Sequence, residues 1–103
     1  MPFSELNLHD AILEKIEHLW RSKEVVVYGK LFGVNRHFKL TFSGVWLLEV
    51  AHEESWGPSN AIMVQNAVSN SEYVIQMQSG DEIKIRAKEY HFESFSQSVD
   101  SAD

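Results

Sequence analysis

Apolar and polar residues alternate with a period of two along most of this chain, most regularly over residues 72–88, EYVIQMQSGDEIKIRAK. Two alternating runs on either side of Ser79-Gly80-Asp81 predict a β-hairpin. If Tyr73, Ile75 and Met77 share a face with Ile83, Ile85 and Ala87, paired positions must sum to an even number, and the loop must be odd. The simplest such register makes Ser79-Gly80-Asp81 the loop and sets Gln78 opposite Glu82. A two-residue Ser79-Gly80 turn would instead oppose Ile75 to Lys84, core against solvent, unless a bulge corrected it. The odd loop also pairs Glu72 with Lys88 and Gln76 with Lys84 on the outer face.

Residues 6–20 read two ways. Ile12, Leu13, Ile16, Leu19 and Trp20 fall on one helical stripe, with Asp10 or Asn7 available as a cap. With period two, Ile12, Ile16 and Trp20 lie on one face, Leu13 and Leu19 on the other. Residues 25–32 are β-branched enough for a strand, and Gly29 inside it marks a bulge or bend. Gly33-Val34-Asn35 turns the chain, and residues 36–42 alternate with Phe38, Leu40 and Phe42 inward. Ser43-Gly44 interrupts that run. Residues 45–51, VWLLEVA, are apolar on both faces and predict a central strand or a dimer contact. Residues 52–60, HEESWGPSN, form the main loop, and residues 61–68 return to strand. After Lys88 the pattern fades: residues 89–92 extend the last strand and the Ser- and Asp-rich end frays. The expectation is a single mainly β domain (a β-rich α+β fold) over residues 1–92, with a flexible acidic tail at 93–103. Its core would be an antiparallel meander or small barrel of about five or six strands, since short connections leave no room for parallel crossovers.

Composition narrows the function classes. Among 103 residues, 44% are hydrophobic and 12% aromatic, so one core forms without disulfides. No cysteine is present, which removes thiol nucleophiles and cysteine-ligated metals. Met1-Pro2-Phe3-Ser4-Glu5 has no basic leader region, and no apolar run approaches the roughly 18 residues of a membrane span. A cytoplasmic protein without membrane contact is expected. Net charge is −6, from fifteen acidic and nine basic side chains. Such a surface lacks the cationic footprint for nucleic acid and suits a basic partner protein. Charging all five histidines would bring −6 to −1.

Two clusters have acid–base or metal-ligand character, His9-Asp10 and His52-Glu53-Glu54. The second lacks the histidine four residues on that a helical zinc-protease motif requires, and reads as a solvated loop. His9-Asp10 reads as a capped turn. Trp56-Gly57-Pro58-Ser59-Asn60 has the composition of a constrained recognition loop, because an aromatic held by Gly-Pro binds at low entropic cost. The competing reading has Trp56 plugging the open end of the sheet while Ser59 and Asn60 satisfy backbone groups. Gly80-Asp81 is no phosphate loop, and no serine sits in a nucleophile elbow. Arg36, Lys39, Lys84, Arg86 and Lys88 pair with acidic neighbours and blunt sheet edges.

Three short motifs, Leu8-His9-Asp10-Ala11, Trp56-Gly57-Pro58-Ser59 and Met77-Gln78-Ser79-Gly80-Asp81, resemble in order and spacing a group of small, uncharacterised bacterial proteins. The first of them is also similar to the opening of some immunity proteins of polymorphic-toxin systems. The resemblance implies a turn at residues 8–11 leading into a strand over 12–20; the expectation is a short N-terminal helical turn at 8–11 and then a strand, with a full helix to Trp20 as the alternative. Net acidity, the lack of a convincing catalytic set and a pre-formed loop together predict a non-catalytic, immunity- or adaptor-like binding module whose binding residues are Trp56, Gly57, Pro58, Ser59, Asn60, His9 and Asp10. A homodimer and a basic partner are expected, with no cofactor. The alternative is a metal-assisted enzyme in which His9 and Asp10 meet His52, Glu53 and Glu54.

Overall fold

The computed structural model describes residues 2–96. A short 3-10 helix, Phe3–Glu5, precedes eight strands. These are β1 (Ile12–Leu19), β2 (Glu24–Lys30), β3 (Arg36–Ser43), β4 (Leu47–Val50), β5 (Ile62–Ala67), β6 (Glu72–Met77), β7 (Glu82–Arg86) and β8 (Glu89–Ser96). They form two antiparallel four-stranded sheets, ordered β1-β2-β3-β8 and β4-β7-β6-β5. The mainly β, antiparallel expectation therefore holds, but the strands number eight and divide between two sheets. The chain changes sheet after Ser43-Gly44 and again at Ala87-Lys88, where the period-two pattern breaks. The two sheets do not close into a barrel among the described residues. Among the described residues the isolated bridge between the sheets is Ile12 to Ala61.

Burial follows the alternation. Phe38, Leu40 and Phe42 of β3 face Tyr73, Ile75 and Met77 of β6 and Ile83 and Ile85 of β7, all buried in one cluster. Each such side chain contributes about 1.5–3 kcal/mol by leaving water. The N-terminal segment seals one side of this core. Phe3 packs edge-on against Tyr73 at 4.9 Å and Tyr90 at 5.2 Å, so its ring joins β6 to β8. Buried Gln65 on β5 donates its side-chain amide to the carbonyls of Ser4 and Leu6, which holds that segment against the sheet edge.

The ambiguous stretch before β2 is a strand. Ala11 N–H donates to the Leu8 carbonyl at 3.0 Å, with Asp10 at φ 68°, so residues 8–11 make a turn leading into β1. The helical element expected there is thus one hydrogen-bonded turn, and the helical geometry lies upstream at Phe3–Glu5. A bulge between Leu13 and Lys15 explains the helix-like spacing. It shifts the parity of β1, so Leu13 and Ile16 both pack on the core although three positions apart.

The hairpin keeps the expected parity with a register two positions different. Tyr73 pairs with Ile85, Ile75 with Ile83 and Gln76 with Glu82, so the loop is Gln78-Ser79-Gly80. Gly80 is the residue that needs φ of +93°, and the turn closes by Gly80 N–H to Met77 O at 3.0 Å. A three-residue hairpin loop takes its left-handed residue last, which places Gly80, not Asp81, at its end. On the outer face Glu72 consequently pairs with Arg86, Nε to Oε1 at 3.2 Å, instead of Lys88.

Two further expectations change. The apolar run at 45–51 is an edge, not a central strand: among the described residues β4 has only β7 beside it, and Trp46 and Val50 are exposed. Its double-sided apolarity reflects the open side of the sandwich. Residues 89–96 form a full strand that pairs with all of β3, from Ser43–Glu89 to Arg36–Ser96. The ordered strand therefore runs past Phe92 to Ser96, paired along the whole of β3, with Tyr90 and Phe92 packed against the core. The rest of the expected tail, 97–103, lies outside the described residues.

Gly29 stands opposite Leu13, beside the β1 bulge. A Cβ there would lie 2.2 Å from the Ile12 carbonyl and 2.5 Å from the Phe38 ring. Gly29→Ala is expected to lose about 1–3 kcal/mol in urea unfolding, the usual cost of overpacking. An unchanged midpoint would contradict this packing.

Candidate functional site: a loop pinned by Asp81

The parity of β7 points Asp81 inward, and a carboxylate on that side needs partners. It finds them in the 51–60 loop. Glu53 N–H donates to Oδ1 at 2.6 Å, and Glu54 N–H reaches Oδ2 at 3.0 Å. The Ser79 hydroxyl donates to Oδ2 at 2.7 Å. Asp81 is itself buried. Chiefly the Glu53 N–H, then the Ser79 hydroxyl, hold its carboxyl below its ordinary value, against an opposing push from burial. The backbone around it is tightly wound, with Glu54 at φ 56° and Gly57 at φ 109°. Gly57 N–H closes the turn on the Glu54 carbonyl at 3.0 Å, and Trp56 N–H donates to the Ser79 carbonyl at 2.9 Å.

This scaffold presents Trp56. Its indole lies over Gly80, where a Cβ would come within 2.8 Å of the ring, yet the residue is 64% exposed. Trp56 therefore caps the hairpin turn and remains available to solvent; it does not plug an open sheet end. Ser59 Oγ accepts from Ala61 N–H at 3.1 Å, and the main-chain carbonyl of Asn60 accepts from Leu13 N–H at 2.8 Å. Around the loop the surface is acidic, with Glu53 and Glu82 exposed and His52 Nε2 3.1 Å from Glu54 Oε2.

Behind the loop lies a cleft of about 620 Å³ between β1 and the β6–β7 turn. Leu13, Ile16, Val50 and Ile83 give it apolar walls, while Glu14 and His52 supply polar ones. Pro58, Ser59 and Asn60 line it; Trp56 and Gly57 do not. His9 and Asp10 are elsewhere. The His9 ring Nδ1 is 2.8 Å from the Met63 carbonyl, and Asp10 accepts from the Gln78 amide and borders a separate groove with Lys30 and Phe32. The seven predicted binding residues thus divide between places, and the loop is the part that holds together. No group of three or more His, Asp or Glu side chains arranged to hold a metal occurs among the described residues. The metal-assisted reading required such a convergence of His9 and Asp10 with His52, Glu53 and Glu54.

Sequence reasoning passed over Asp81 and Ser79 as anchors, and Trp20 and Trp46 as exposed aromatics, 82% and 57% accessible. The signal for Asp81 was present: its odd number places it in the core-facing series with Met77 and Ile83. Comparison with known proteins finds no matching family model and no matching curated protein. Among the described residues no helix is long and apolar enough to cross a membrane.

A lowered carboxyl pKa stabilises the fold above the ordinary value of 3.8, and that contribution is lost as pH falls through the lower folded value. Asp81→Asn removes it. The melting temperature of the variant should lie below wild type at neutral pH, and the gap should narrow in acid below that ordinary value. A gap of constant size from neutral pH into acid would refute the assignment.

Proposed function

We propose that this chain is a non-catalytic protein-binding module, immunity- or adaptor-like, that engages a basic partner protein through the 51–60 loop in the bacterial cytoplasm. The observation that carries this reading is Trp56, a large aromatic 64% exposed on a loop fixed by hydrogen bonds to Asp81 and Ser79. Exposed aromatics in pre-ordered surroundings are the residues on which interface energy concentrates. Glu53 and Glu82 beside it, and the net charge of −6, favour a cationic surface opposite. The similarity to immunity proteins at residues 8–11 agrees with this role.

Trp56→Ala should leave the fold within about 1 kcal/mol of wild type, since the side chain is mostly in water. In affinity capture from the native host, wild type is expected to retain a basic protein that Trp56→Ala loses. Equal recovery of every partner by both proteins would remove the loop from the interaction.

A further inference from the structure

The edge strand β4 is the least protected border of either sheet. The other three borders carry devices that block pairing. On β5, Ala67 N–H is taken by the Ser4 hydroxyl at 2.9 Å. β1 is bulged between Leu13 and Lys15 and carries Glu14, Lys15 and Glu17. β8 presents Glu89, His91 and Glu93. β4 has one charge, Glu49, whose carboxylate is 3.9 Å from Lys84 Nζ on the strand beside it. An edge of this kind is a template for another strand.

The side chains at that border come from the core side of the sheet. Leu48 pairs with Ile85 and Val50 with Ile83, so Leu48 and Val50 face the interior, and Trp46 continues their parity. Trp46 is nevertheless 57% exposed and Val50 50% exposed.

We propose that β4 pairs antiparallel with β4 of a second copy about a two-fold axis at Leu48, joining two four-stranded sheets into one. The inference goes beyond the loop-mediated binding above and does not depend on it. A two-fold perpendicular to the sheet preserves its faces, so paired positions must again sum to an even number. An axis at Glu49 would oppose two like charges. The axis at Leu48 avoids this and sets each Trp46 against Val50 of the second copy, so the two exposed core-side residues cover each other. On the outer face, Leu47 beside Arg86 then meets Glu49 of the second copy, which stands beside its own Lys84. Each Glu49 then stands beside Lys84 of its own chain and across Leu47 from Arg86 of the other, which Glu72 already pairs at 3.2 Å. On this face Glu49, Glu72 and Glu82 exceed Lys84 and Arg86 by one charge, so the junction carries far less than the −6 of each whole chain.

The chain has no cysteine, so single-cysteine variants report the register directly. Light scattering of wild type should give twice the 11.9 kDa chain mass, and Val50→Lys should raise the dimer dissociation constant about tenfold or more. Under mild oxidation Leu48→Cys should cross-link to itself. A mixture of Leu47→Cys and Glu49→Cys, on the less buried face, should cross-link to each other in preference to themselves, which tests the register even if Leu48→Cys folds poorly. A wild-type monomer at about millimolar concentration would overturn the proposal. So would a dimer that survives Val50→Lys, or a mixture in which each cysteine variant links only to itself.

Discussion

Asp81 brings a carboxylate into the interior at the turn between β6 and β7, and the surrounding chain is arranged to satisfy it. A carboxylate turned away from water needs hydrogen-bond donors, so the group dictates what lies beside it. What lies beside it is the backbone of Glu53 and Glu54 and the hydroxyl of Ser79. These bonds bind a loop without secondary structure of its own to the most regular hairpin in the molecule. Ordering such a loop costs about 1–2 kcal/mol per residue in backbone entropy, and here folding meets that cost before any partner arrives. Trp56 inherits the rigidity of the turn beneath it.

The rest of the fold supplies the platform. The core rows of β3, β6 and β7 fix the hairpin, and the aromatic contacts of Phe3 with Tyr73 and Tyr90 tie the N-terminal segment across both sheets. Gly80 allows the tight turn and leaves space for the indole, so one residue type serves two geometric demands. The sandwich stays open beside β4, where Trp46 and Val50 carry the interior side of the sheet out to solvent. The Trp56 loop and the β4 border are therefore different surfaces with different chemistry. One is acidic with a single aromatic anchor; the other is an apolar strip along a sheet border.

Much of this was legible in the residues because a strand's faces alternate strictly. The inward rows of β3, β6 and β7 and the even pairing of the hairpin follow from parity alone. Parity does not say which of two even registers is used; that was decided by where Gly80 must sit. It also fails where a bulge resets the count, as at Leu13 and Lys15, whose outcome imitates a helix. The exchange between sheets at Ser43-Gly44 and Ala87-Lys88 leaves only a pause in the pattern, so one sheet could not be told from two. β8 was obscured because its inward aromatics, Tyr90 and Phe92, are followed by Phe95 at the opposite parity among polar residues, which blurs the alternation. At the site, Trp56-Gly57-Pro58 signalled a constrained loop, but its restraint comes from Asp81, far along the chain, and only long-range pairing reveals it.

The fixed state of the 51–60 loop is the claim on which the binding role stands, and amide hydrogen exchange tests it directly. The amides of Glu53, Glu54, Trp56 and Gly57 donate to Asp81, Ser79 and Glu54. Their exchange should be slowed by orders of magnitude relative to free peptide, approaching the protection of strand amides in β6 and β7. Exchange of these four amides within a few-fold of the free-peptide rate, while the strands remain protected, would contradict a pre-ordered Trp56.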